Sequence, residues 1–72
     1  WTLEPGEQYQ SQADAEGWSE QLYICEGCLT LVIGDQVLHF GAHEFYMYPS
    51  NTPHAYRNDG DVAVRFIRNV VI

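Results

Sequence analysis

The chain has no lysine, and its arginines are only Arg57, Arg65 and Arg68. Against ten acidic residues they leave a formal net charge of −7. Gripping a phosphate backbone takes a basic face that displaces counterions. Three arginines do not make one, so no direct nucleic-acid contact is expected from this segment; DNA would have to be met by another domain. Cysteine is also scarce. Cys25 and Cys28 form a lone C-x-x-C, with no second pair to complete the four ligands of a structural zinc site. No thioredoxin-like βαβ pattern surrounds them. They read as two reduced thiols flanking a hairpin turn in a cytoplasmic protein. No apolar run approaches the ~20 residues of a membrane span, so no membrane partner is expected. The opening "WTLEPGE" carries no basic segment followed by an apolar one and is not a signal peptide.

What is present is a rich supply of apolar and aromatic residues, 46% and 14% of the 72. That composition suits a folded domain rather than a disordered tail. The length allows one domain with a modest core, marginal alone. Two resolutions are expected: a homodimer, built partly on the last strand, and a longer native chain of which this is a piece.

Alternation, not helical periodicity, dominates. "EQYQSQA" (7–13) reads as a polar edge strand. "EQLYIC" (20–25) puts Glu20, Leu22 and Ile24 on one face. "EG" turns the chain into "CLTLVI" (28–33), with Leu29, Leu31 and Ile33 together. "GD" (34–35) turns it again into "QVLHF" (36–40). "FYMY" (45–48) is an aromatic strand stopped by Pro49. "HAYRN" (54–58) is short, "DGD" (59–61) turns, and "VAVRFIRNVVI" (62–72) is long. About eight short strands with a turn signal every several residues predict an all-β sandwich or barrel.

Two spacings carry more. Glu20 and Gly27 give E-x6-G. Pro49, Pro53, His54 and Asn58 give P-x3-P-H-x3-N. The pair resembles the two motifs of the cupin superfamily. "YICEGCLTLVIGDQ" and "YPSNTPHAYRN" look, more narrowly, like the sensor domain that follows a helix-turn-helix in XRE-type bacterial transcriptional regulators. The resemblance implies a cupin-type β-barrel or jelly roll of antiparallel strands. It also implies a small-molecule effector inside the barrel, amino acid or related metabolite, with DNA bound by an N-terminal domain outside these 72 residues. The alternative is a stand-alone metal-dependent cupin enzyme, a dioxygenase or isomerase. The chain departs from the pattern at the first motif's histidines, where Asp14, Ala15 and Glu16 stand. His43 and Glu44 replace the second motif's leading Gly-Asp, and Asn51 its internal glycine. A thinned histidine set favours sensing over redox catalysis.

The resemblance gathers candidate residues. Glu20, His54, Asp14 and Glu16 would form an oxygen-and-nitrogen set for one divalent ion, Zn, Mn or Fe. Tyr46 and Tyr48 share a strand face, as do His54 and Tyr56; each pair lines a ligand cavity or fills an aromatic core. Phe66 is in phase with Val62 and Val64, all taken as interior. Arg68 falls on that face near the barrel end, where it either clamps a ligand carboxylate or snorkels to the surface. His39 and His43 flank a turn and are expected at the surface. Asn58 is expected to close the turn that follows it.

Overall fold

A computed structural model describes residues 1–12 and 16–71. Eight strands follow in order: β1 (Thr2–Leu3), β2 (Gln8–Ser11), β3 (Ser19–Glu26), β4 (Leu29–Ile33), β5 (Gln36–Phe40), β6 (Phe45–Pro49), β7 (His54–Arg57) and β8 (Val64–Val71). They form two four-stranded antiparallel sheets, ordered β1-β8-β3-β6 and β2-β7-β4-β5. The expected all-β jelly roll is the fold.

Alternation decides which side chains face between the sheets. On β3, Glu20, Leu22 and Ile24 are buried while Tyr23 is exposed; on β4, Leu29 and Leu31 are buried. With Leu3, Tyr48, Tyr56, Val64 and Phe66 they make one core. The polar strand β2 lies at a sheet edge, as its composition predicts. So does β6, where Pro49 ends the strand without removing a bond from a central ladder. The tight turn from β3 to β4 rests on Gly27, at φ +80°, where a Cβ would come within 2.7 Å of the Ala63 carbonyl oxygen. Only glycine fits there.

Two expectations change. Val62 is not interior: it is 59% exposed, and β8 begins at Val64. The cause is Asn58, buried as the turn's organiser. Its amide donates to the carbonyls of Leu3 and Val62 at 2.9 and 2.8 Å, and its side-chain oxygen accepts from the Gly60 N–H at 2.9 Å. Those bonds hold Val62 in the turn. Strand β1 was not foreseen: two residues carry no readable alternation.

Candidate functional site

A group of polar side chains from both sheets converges at one end of the sandwich. β3 begins with Ser19 and Glu20, and Tyr48 of β6 lies directly opposite Glu20. On the other side β8 runs back, placing Arg68 opposite Leu22 and so diagonal to Glu20. From the second sheet, β7 begins with His54, and Tyr56 follows on the same face. Pro53 restricts Thr52 to extended conformations and sets the angle at which the chain enters β7.

Glu20 is fully buried, at 0% exposure, and its two oxygens are crowded with donors. Arg68 donates from Nε to Oε1 at 2.6 Å, with Nη2 at 3.5 Å from Oε2. The Tyr56 hydroxyl donates to Oε1. His54 Nε2 lies 2.7 Å from Oε2. With the Tyr56 proton directed at Glu20, the Tyr48 hydroxyl, 2.7 Å from that of Tyr56, is the donor between the two. His54 Nδ1 lies 2.9 Å from the Thr52 carbonyl oxygen, which can only accept. Both ring nitrogens thus face oxygen acceptors, an arrangement that an N–H on each satisfies.

Burial alone pushes the Glu20 carboxyl up. The hydrogen bonds from Arg68 and Tyr56, with the positive charges of Arg68 and His54, outweigh it and hold the carboxyl below its ordinary range. Burial and the carboxylate beside it raise both tyrosine hydroxyls, which stay protonated donors. Arg68 loses basicity to burial and regains more from Glu20 together with the tyrosines beside it, so it is raised overall. Its guanidinium carbon sits 4.8 Å from the Trp1 ring centre, 5.2 Å from Tyr56 and 5.7 Å from Tyr9. Trp1, just ahead of β1 on one sheet, and Tyr9, of β2 on the other, meet edge to face at 4.9 Å. Both are partly open to solvent, so Arg68 lies between the buried carboxylate and the surface.

The structure therefore brings together Glu20, His54, Arg68, Tyr48 and Tyr56, with Phe66 packed 5.6 Å from Tyr56. Tyr46 lies further along β6, half-buried, stacked on Tyr48 and tilted against Phe40. Arg68 points inward rather than snorkelling. Glu16 is exposed in a turn, and Asp14 lies outside the described residues. His39 and His43 are exposed, as expected. Trp1 and Tyr9 escaped the sequence reading. Tyr9 had a signal, as the sole aromatic in a polar strand; Trp1 had none. Ser50, which ends the Tyr46–Tyr48 face, is buried with a hydroxyl that finds no hydrogen-bond partner among the described residues. A shallow depression of about 190 Å³ lies on the outer face of the second sheet, lined by Gln10, Val32, Gly34, Pro53, His54 and Ala55.

The expected metal ion can be tested against these donors. Among the described residues no three His, Cys, Asp or Glu side chains converge. Glu20 already accepts from Arg68, Tyr56 and His54, and a guanidinium stands where a cation would approach. The described residues do not fit a divalent ion.

The comparisons with known proteins meet this geometry. A family model described as "Cupin domain" matches residues 1–72. The chain belongs to the cupin family. No curated protein matches it. Among solved structures, it is similar to the Cupin_2 domain of an XRE family transcriptional regulator from Enterobacter cloacae, with TM-score 0.87, 25% identity, and 96% of this chain covering 72% of that one. An HTH_3 family transcriptional regulator from Vibrio cholerae gives TM-score 0.83 and 25% identity, with 96% of this cupin domain covering 38% of that chain. A predicted oxalate decarboxylase from Thermotoga maritima gives 0.82 at 21% identity, with coverage of 99% and 61%, and shares the fold.

Proposed function

We propose that this cupin domain is the small-molecule-sensing part of a bacterial helix-turn-helix transcriptional regulator, working as a homodimer in the cytoplasm. The observation that carries the reading is the likeness, at 25% identity over 96% of the chain, to the cupin domain of an XRE family regulator. The cluster supports it. Its acceptor and donor atoms are already engaged with one another, which suits recognition better than proton transfer. The effector is a small carboxylate-bearing metabolite such as an amino acid. Arg68 has N–H groups beyond those used on Glu20, and Trp1 and Tyr9 beside it offer apolar ring surface. DNA is contacted by a segment outside these 72 residues.

The test is made on the full-length protein. Operator DNA selected from the source genome should bind it, and a panel of amino acids and small carboxylates should contain one that shifts that affinity. Arg68→Lys, which keeps a positive charge beside Glu20 but not the planar fork, should weaken the shift at least about tenfold and leave DNA binding without effector intact. A full-length protein that retains no DNA would sink the regulator reading. A native start a few residues before Trp1, with no helix-turn-helix ahead of it, would do the same.

A further inference from the structure

We propose that Arg68 is the resident cation of the barrel, occupying the place a divalent metal would need, and that the Glu20–His54 pair takes up no metal ion. This concerns the cation alone and stands or falls apart from the regulator reading.

Three observations converge. The first is the carboxylate. Glu20 is the one described carboxylate in the cluster, and a metal would have to share it with a guanidinium nitrogen 2.6 Å from Oε1. Two cations on one buried carboxylate repel strongly where the local dielectric is low. The second is the imidazole. A ligating histidine offers a ring nitrogen lone pair to the metal and donates from the other nitrogen. Here Nδ1 faces the Thr52 carbonyl and Nε2 faces Glu20 Oε2, at 2.9 and 2.7 Å, so both are spent on oxygen acceptors. The third is how firmly Arg68 is held. Trp1, Tyr9 and Tyr56 lie within 5.7 Å of its guanidinium carbon, and aromatic faces retain a guanidinium well. Displacing it would strip that packing as well as the ion pair. The charge a metal would bring to Glu20 is already there, covalently attached.

The experiment uses the full-length protein carrying Cys25→Ser and Cys28→Ser, so that the thiols take no zinc. Metal content is measured after exposure to Zn²⁺ or Mn²⁺ and gel filtration, and the melting temperature is read with each ion and with EDTA. The expected result is far less than one ion per chain and a melting temperature that neither ion nor EDTA moves. Near-stoichiometric metal that disappears in a Glu20→Gln protein still folded by circular dichroism would overturn the proposal; metal that persists in Glu20→Gln lies elsewhere and leaves it standing. A second variant makes the prediction positive. Arg68→His removes the guanidinium and supplies an imidazole beside Glu20 and His54, completing three ligands. Zinc affinity should then rise by about ten- to a hundredfold, the scale on which single metal-site groups act. A folded Arg68→His protein with no gain counts against the proposal. If that variant does not fold, the metal content of the cysteine-free protein decides.

Discussion

The two faces of the first sheet invert the usual rule. On the inner face, β3 and β8 bury a carboxylate and a guanidinium; on the outer face, the same two strands and β6 expose large apolar side chains. Tyr23 stands between Phe45 and Ile67, and Gln21 between Met47 and Asn69, in consecutive cross-strand rows. Phe45, Met47 and Ile67 are 59%, 56% and 52% exposed, whereas Glu20 is 0%. In a chain of net charge −7 those two rows carry no charge at all. Charges are costly to bury and apolar patches costly to leave bare. Each face departs from the default, and the departures teach different things. The inner one is compensated within the chain, donor by donor. The outer one has no compensation within the described residues.

The largest expected effect comes from breaking the inner face. Glu20→Gln leaves the Arg68 guanidinium without its counter-charge. Removing one partner of a buried pair costs about 3–5 kcal/mol. A domain of this length has only roughly 4–11 kcal/mol in total. The variant should lose a large share of that total, as a lowered midpoint in urea titration followed by circular dichroism would show. The same carboxylate sets an acid limb. Its folded value lies below the ordinary 4.5, so its contribution is complete above pH 4.5 and is lost as the pH falls through the lowered value. Relative to the wild type, Glu20→Gln should flatten stability against pH below 4.5 and change only its level above. A loss under 1 kcal/mol with an unchanged acid limb would mean that the inner charges are not paired in solution.

Much of that inner face was legible beforehand, and the reason is period two. Once Leu22 and Ile24 are interior, Glu20 must be; once Tyr56 is interior, His54 must be. Arg68 followed from Val64 and Phe66 by the same count, although the count was started one step early, at Val62, which the Asn58 turn holds outside. What alternation does not convey is which strands from opposite sheets come close. The Trp1–Tyr9 bridge joins the residue ahead of β1 to one of β2 through side chains alone, and the Glu20–Arg68 bond is a diagonal set by register. A list of inward carboxylates and histidines therefore reads as a metal set. Register, by bringing an arginine into the list, makes it an ion-pair cluster.

An intermediate effect is expected from the outer face, and it should fall on assembly rather than folding. If a second copy covers this surface, Ile67→Glu places a charge in the middle of the row formed with Tyr23 and Phe45. Two copies then bring two like charges into a closed apolar contact, and the dimer should dissociate. The folded monomer should change by no more than about 0.5 kcal/mol, as for other exposed positions. Sedimentation velocity of the full-length protein reads the first, and thermal unfolding reads the second. A wild-type protein that sediments as a monomer at micromolar concentration removes the second copy as the occupant. A variant that stays dimeric moves the contact to another surface, such as the edge of β8.

The smallest effect belongs to the cysteines, which share in neither departure. Cys25 lies where the β3–β8 register shifts between Ile24 and Glu26, and it is half-buried; Cys28 is exposed, beyond the Gly27 turn. Both thiols are free. They sit at the opposite end of β3 from Glu20, so neither can enter the ion-pair cluster without unmaking the strand between. Replacing both with serine exchanges a thiol for a slightly smaller hydroxyl at sites where water can satisfy its hydrogen bonds. The double variant should match the wild type within about 0.5 kcal/mol in unfolding and be indistinguishable in effector response. Zinc released on making the variant, or a midpoint shifted by reductant in the wild type only, would show that the C-x-x-C performs chemistry of its own. It would also place a second polar site on β3, at the end where the inner face is otherwise apolar.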